Sequence, residues 1–189
     1  MEKNKNGFIY IIIIFVIMIS FFSSDTIISA ENGNQREING EKLTMEVLED
    51  NDDEYKILAE GNALLKYNDM TISGEKAEFD TAQSSILFTG NVNFESADYL
   101  IRGKELSGNI DQEKFTIKGN TVFRSSEIEA NADKIIYDMN QEMAYLEGNV
   151  KGQQNDRKFS AEKISIDLNK DKIELTGGAK LIFPDRGEE

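Results

Sequence analysis

The sequence predicts an all-β protein, a bent antiparallel sheet of about ten long strands built from 29-residue repeats. A glycine recurs every 29 residues after residue 60, and four of these five glycines are followed by asparagine. Apolar and polar residues alternate on both sides of each glycine, which is the period of a β-strand with one buried face. A fixed period near 30 residues is typical of stacked repeats, in which each unit packs against its neighbours.

The first 30 residues differ in composition from the rest. Lys3 and Lys5 precede an apolar run at residues 8–22, and Ile-Ser-Ala at residues 28–30 follows. This order predicts a secretory signal peptide with Ala30 as the last residue removed. The run is shorter than the roughly 20 residues of a spanning helix, and an uncleaved inner-membrane anchor remains the alternative. We therefore expect a signal peptide or anchor at 1–30, a single domain at 31–184 and a polar tail at 185–189.

Composition restricts the function. The chain has no histidine and no cysteine, so it lacks the commonest general base and the commonest transition-metal ligand. Its formal net charge of −14 disfavours nucleic acid as a partner. The acidic run at residues 49–54 lacks the glycine and terminal glutamate of a calcium-binding EF-hand loop, which favours a solvated turn. We expect no enzyme, no metal and no cofactor.

The first type of strand contains the periodic glycine. These glycines are Gly61, Gly90, Gly119, Gly148 and Gly177. In each copy the flanking apolar residues lie two apart, as in Ile86, Phe88, Val92 and Phe94. This spacing places the glycine on the buried face in the middle of a strand, where it permits a bend or a bulge.

A companion strand lies between each two of these strands. Its apolar positions are spaced two, three and two residues apart, as in Ile72, Gly74, Ala77 and Phe79. The step of three predicts a β-bulge in the companion strand, with the charged residues beside it facing solvent. Asx- and Ser-rich clusters of hairpin length connect the strands. The sheet is therefore expected to fold over into two leaves, with an apolar stripe from every strand facing the crease.

The repeats resemble the OstA-like domain of the lipopolysaccharide-transport proteins, the LptA family. The resemblance is carried by Ala-Glu-Gly-Asn-Ala at 59–63, Lys-Gly-Asn-Thr-Val at 118–122 and Glu-Gly-Asn-Val at 147–150. The companion strands add Ala-Asp-Lys-Ile-Ile-Tyr-Asp at 132–138 and Ala-Glu-Lys-Ile-Ser-Ile-Asp at 161–167. It implies a β-jellyroll open at both ends that carries lipopolysaccharide across the periplasm, between the inner and outer membranes.

The resemblance also implies a groove for acyl chains, lined by inward apolar side chains of both strand types. The implied groove residues are Leu65, Ile72, Phe79, Ile86, Phe88, Val92, Phe94, Ile101, Leu106, Phe115, Ile117, Phe123, Ile135, Tyr137, Leu146, Phe159, Ile164, Ile166, Ile173 and Leu175. Gly108 departs from the repeat and is expected to leave local space in the groove. The negative charge restricts contacts with lipid phosphates to lysines and arginines at the rim.

The partners follow from the resemblance and from the sheet edges. Lipopolysaccharide or a related acylated lipid is the implied ligand. The first strand (about residues 38–48) and the last (about 172–183) expose unpaired backbone groups that can add a strand from another domain of this kind, including a second copy. Two other interpretations stay open: an inner-membrane-anchored, LptC-like component, and a self-assembling β-repeat protein with a dry core.

Overall fold

The computed structural model describes residues 36–48, 54–170 and 172–184. The expected signal peptide or anchor, residues 49–53 of the acidic run and the polar tail lie outside the described residues. The described part of the chain forms twelve β-strands, which are β1 (Arg36–Asn39), β2 (Lys42–Val47), β3 (Tyr55–Tyr67), β4 (Met70–Asp80), β5 (Ser85–Glu95), β6 (Leu100–Asn109), β7 (Lys114–Arg124), β8 (Ile128–Asp138), β9 (Met143–Gln154), β10 (Arg157–Asp167), β11 (Lys172–Thr176) and β12 (Lys180–Ile182).

The strands pair antiparallel in chain order. β1 and β2 both pair with β3, and β11 and β12 both pair with β10. Each of these two pairs is therefore one bent strand that is interrupted at its corner. The sheet thus contains ten bent strands in sequential order, as the 29-residue period predicts, and the all-β fold class is confirmed.

The bend lies at each Gly–Asn pair, and its geometry corrects the sequence prediction. Gly61 and Asn62 of β3 stand opposite the single residue Glu75 of β4, so the extra residue belongs to the Gly–Asn strand and not to the companion. Both residues of each pair have positive φ, for example 79° at Gly90 and 47° at Asn91. A Cβ at Gly90 would lie 2.6 Å from the carboxyl carbon of Glu75. The periodic glycine therefore faces a charged neighbour at the outer corner, and not the core.

The asparagine of the pair fixes the corner to the preceding strand. In three corners its side-chain amide donates a hydrogen bond of 2.7 to 2.8 Å to an acidic residue of the companion strand; these bonds join Asn62 to Glu41, Asn91 to Glu75 and Asn149 to Asp133. The corner at Gly119 and Asn120 faces Lys104 instead, which has no carboxylate to accept that bond. A short polar side chain that tolerates positive φ thus links neighbouring repeats.

Bending divides the sheet into two leaves that face each other. Leaf 1 contains β2, β11 and the half of every other strand nearest the turns at 81–84, 110–113 and 139–142. Leaf 2 contains β1, β12 and the halves nearest the turns at 68–69, 96–99 and 125–127. The buried apolar side chains of both leaves form one core between them.

Two glycines on the inner faces each lie against a large aromatic side chain of the neighbouring strand. A Cβ at Gly108 would overlap the ring of Phe115, its partner on β7, and a Cβ at Gly152 would overlap Phe159 on β10. The expectation that Gly108 leaves space in the groove is therefore wrong, because Phe115 fills that space. Paired small and large residues keep the interior filled where the repeat changes.

Candidate functional site

The groove residues implied by the resemblance all lie on the inner faces of the two leaves. Eighteen of the twenty are at most 5% exposed. Ile173 and Leu175 on β11 are partly buried and pack against this cluster. In the described structure the middle of the crease is therefore filled by the protein's own side chains.

Aromatic rings join the two leaves in the middle repeats. Phe94 of leaf 2 has its ring centroid 5.3 Å from Phe115 and 5.3 Å from Tyr137, both of leaf 1. Tyr99 of leaf 2 lies 6.3 Å from Tyr137. Edge-to-face and tilted ring contacts at these distances stabilise beyond the area that they bury. The leaves are thus in direct contact at the side away from the corners.

Hydrogen bonding at Tyr137 reinforces that contact. Its hydroxyl shares a hydrogen bond with Ser96, which lies in a turn of leaf 2. Burial raises the pKa of Tyr137 to about 12, and the nearby Asp69 and Glu142 carboxylates contribute in the same direction. The hydroxyl therefore stays protonated over the physiological range and links the two leaves near their turns.

A second contact between the leaves involves an ion pair. The Arg36 guanidinium of β1 lies 2.6 Å from the Asp111 carboxylate, which is in the leaf 1 turn after β6. Arg36 also lies 5.4 Å above the ring of Tyr67, and the Ser84 hydroxyl donates a hydrogen bond to Asp111. The Ser84 hydrogen bond and then Arg36 lower the pKa of Asp111, so its carboxylate stays ionised at neutral pH.

These contacts show that the leaves are displaced along the array. β1 in leaf 2 reaches the turn between β6 and β7 in leaf 1, and Phe94 on β5 reaches residues of β7 and β8. Each strand of leaf 2 therefore covers a later strand of leaf 1. This displacement leaves the first strand of leaf 1 and the last strand of leaf 2 without a facing partner.

The side chains at these two ends are exposed accordingly. On β2, Leu43, Met45 and Val47 face the inner side and are 51%, 63% and 48% exposed. At β12, Leu181 also faces the inner side and is 48% exposed, and Phe183 just beyond is 63% exposed. We call these two groups the β2 corner and the β12 corner; they are distinct from the corners at the Gly–Asn bends. Sequence reasoning did not place them in the groove, although their position in the terminal repeats could have indicated a missing neighbour.

Other features of the described residues do not form a second site of this kind. A cavity of about 440 Å³ is lined by residues of the four strands β2 to β5, which include the outward-facing Leu58, Glu78 and Leu87. Within the described ranges no group of acidic, histidine or cysteine side chains could hold a metal ion. No helix in this part of the chain is long and apolar enough to cross a membrane.

Known proteins share both the sequence pattern and the fold. Residues 71–172 match the family described as LptA/(LptD N-terminal domain) LPS transport protein. The crystal structure of LptH from Pseudomonas aeruginosa, "the LptA homologous periplasmic component of the conserved lipopolysaccharide transport device", is similar with a TM-score of 0.59 and 17% identity. The similarity covers 61% of this chain and 95% of LptH. No curated protein matches the chain. Because the family match spans more than half of its residues, the chain belongs to the LptA/LptD N-terminal domain family.

Proposed function

We propose that the protein is a non-enzymatic periplasmic carrier that binds the acyl chains of lipopolysaccharide between its leaves and passes them toward the outer membrane. The family membership and the LptA-like fold support a role in lipopolysaccharide transport. The observation that carries the proposal is the pair of exposed apolar corners at opposite ends of the array. An acyl chain gains roughly 0.8 kcal/mol for each methylene that it buries, so a long chain needs no specific polar contact.

Binding is proposed to begin at the corners and to extend inward. At the β2 and β12 corners the inner faces are apolar and uncovered, whereas Phe88 and Ile117 in the middle are fully buried. A ligand that enters the middle repeats has to separate the leaves and break the ring contacts of Phe94 with Phe115 and Tyr137. The corners need no such rearrangement.

Substitution at the corners tests this proposal. We expect Leu43→Asp and Leu181→Asp to abolish co-purification of lipopolysaccharide while leaving the fold intact, because both side chains are already half exposed. The matched controls are Thr44→Asp and Ile182→Asp, which lie on the outer faces of the same strands. Acids at Phe88 or Ile117 are unsuitable because they would bury a charge in the core.

Lipid retention by the two corner variants equal to that of wild type would overturn the proposed site. Circular dichroism of each variant separates lost binding from lost folding. The rival interpretation, a structural β-repeat with a dry core, predicts assembly in the complete absence of lipid and no binding of a hydrophobic probe at either corner.

We also propose that copies associate head to tail through their edge strands. The first strand is of the companion type and the last is of the type with the periodic glycine, here Gly177 followed by Gly178, so a junction can repeat an internal pair of strands. In β3 and β4, Lys56 pairs with Asp80, and a junction in the same register pairs Lys172 with Glu46 of the next copy. This register also pairs Leu175 with Leu43, and Ile173 with Met45. The displacement of the leaves then lays the β12 corner of one copy over the β2 corner of the next.

Cysteine cross-linking tests the register, since the chain has no native cysteine. We expect Lys172→Cys combined with Glu46→Cys to give a ladder of covalent multimers under mild oxidation. The control combines Lys172→Cys with Met45→Cys, which shifts the register by one residue and turns one thiol to the other face of the sheet. Equal yields from the two pairs, or no multimers from either, would contradict the proposed junction.

We propose periplasmic export by a cleaved signal peptide. Amino-terminal sequencing of the exported protein distinguishes a cleaved signal peptide from an uncleaved membrane anchor. A mature chain that begins at Glu31 supports a free carrier, and an intact Met1 supports the inner-membrane-anchored, LptC-like alternative.

A further inference from the structure

The basic residues of the described structure are distributed unevenly. Most lysines and arginines pair with a carboxylate, as Arg36 does with Asp111. Four for which the described residues provide no ion pair lie close together on leaf 2, near the β12 corner. These are Lys151, Arg157, Lys158 and Lys180, all of them exposed. In a chain with a net charge of −14, they form a local cationic surface.

Their placement on neighbouring strands is given by the register of the sheet. Lys151 of β9 and Lys180 of β12 both pair with Ser160 of β10, one from each side. Lys158 lies two residues from Ser160 on the same face of β10. Three ammonium groups therefore share the outer face of leaf 2 at its last strands.

Arg157 differs from the other three because it breaks the repeat on the inner side. Counting back by 29 residues leads to Ile128, Tyr99 and Met70, which are apolar or aromatic. Ile128 and Met70 are 6% and 1% exposed. Arg157 shares its face with the buried Phe159, and its guanidinium lies 6.0 Å above the ring of Phe183. A charge thus replaces an apolar residue at the margin of the uncovered β12 corner.

Arg36 occupies the corresponding margin at the other end of leaf 2. It too lies above an aromatic ring, but leaf 1 supplies Asp111 to neutralise it. Leaf 2 extends past leaf 1 at Arg157, and no acidic group of the described residues takes the place of Asp111 there. The arginine is therefore available to an anion that arrives with an apolar ligand.

We propose that Arg157 binds a phosphate group of the carried amphiphile while the acyl chain lies on the exposed side chains of Leu181 and Phe183. Lys158 lies on the outer face of the same strand and adds a longer-range attraction. Arginine suits this role because its planar guanidinium donates two parallel hydrogen bonds to a phosphate. The carboxylates elsewhere on the surface repel the same head group, which gives the ligand one orientation at this corner. The inference rests on the proposed function and adds to it the recognition of the head group.

Two amphiphiles with the same acyl chain test the assignment, lysophosphatidic acid and the uncharged monoacylglycerol. We expect Arg157→Gln to weaken binding of lysophosphatidic acid about tenfold, the equivalent of one charge-assisted contact. Binding of monoacylglycerol is expected to be unchanged. Arg102→Gln is the matched control, because Arg102 lies on the outer face of β6 and also lacks an ion pair within the described ranges. It should affect neither ligand.

Any other outcome contradicts either the role proposed for Arg157 or the proposed function. Equal weakening for both amphiphiles, or an equal effect of Arg102→Gln, overturns phosphate recognition by Arg157. Competition by inorganic phosphate alone at similar concentration means a free anion site without an amphiphile, which also contradicts it. A changed oligomer size with unchanged lipid selectivity assigns Arg157 to a second copy of the chain. Binding of neither amphiphile to the wild-type protein would contradict the proposed function itself.

Discussion

The middle repeats and the two terminal corners use the same strand pattern but have opposite surroundings. Phe94, Phe115 and Tyr137 are sealed between the leaves, whereas Leu43 and Leu181 at equivalent inward positions are about half exposed. The difference arises because displaced leaves cover each other only where both continue. An apolar residue in this fold therefore stabilises the chain in the middle and remains available to a ligand or a second copy at the ends.

Truncating one side chain in each region should give the largest contrast. We expect Phe94→Ala to lower the free energy of unfolding by about 3–5 kcal/mol, because it leaves a cavity and removes two ring contacts between the leaves. Leu43→Ala at the β2 corner should change it by less than about 0.5 kcal/mol. Urea unfolding of both variants measures the difference. Similar losses would mean that the β2 corner is covered in the free protein.

Glycine replacement at two corners of the bend should give the next largest effect. Gly90 and Gly178 both have positive φ, 79° and 61°. A Cβ at Gly90 would meet the Glu75 side chain, and one at Gly178 would have nothing within 4 Å. Gly90→Ala should therefore cost about 2–3 kcal/mol and Gly178→Ala about 1 kcal/mol. Thermal unfolding tests this order, and equal shifts would contradict the crowded geometry at Gly90.

Alkaline pH should weaken the contact between the leaves at Tyr137. Its pKa is raised from 10 to about 12 in the folded state, so the folded protein resists deprotonation. The stabilisation is fully present below pH 10 and is lost as the pH rises through about 12. Over this window the free energy of unfolding should fall by roughly 2 kcal/mol. Tyr137→Phe should flatten the stability profile in that window. An unchanged profile in this variant would show that another group titrates.

Removing an asparagine from a Gly–Asn bend should have the smallest effect on the free energy of unfolding. Asn149→Ala loses the hydrogen bond to Asp133 and should cost about 1 kcal/mol beyond the cost of positive φ. At Asn120 the companion strand presents Lys104, so Asn120→Ala should lose only the conformational preference of asparagine. Hydrogen exchange of the two corners compares them. A larger loss at Asn120 would contradict the role assigned to the acidic partner.

The sequence was sufficient to predict the number, order and bend of the strands, because the spacing of residues such as Phe88 and Val92 is a local signal. It was not sufficient for the side of the bulge, since the positive φ of Gly90 and Asn91 reverses the direction in which a side chain would point. The displacement of the leaves could not be predicted either. It depends on contacts such as Arg36 with Asp111, 75 residues apart, that no repeat of 29 residues encodes.

Site-specific photo-cross-linking can determine whether acyl chains contact the uncovered inner faces, as we propose. A photoreactive residue is placed at Leu43 or Leu181 on the inner faces, and at Thr44 or Ile182 on the outer faces of the same strands. We predict cross-links to lipopolysaccharide from the two inner positions and none from the two outer positions. Cross-links from all four positions, or from the outer positions alone, would contradict the account.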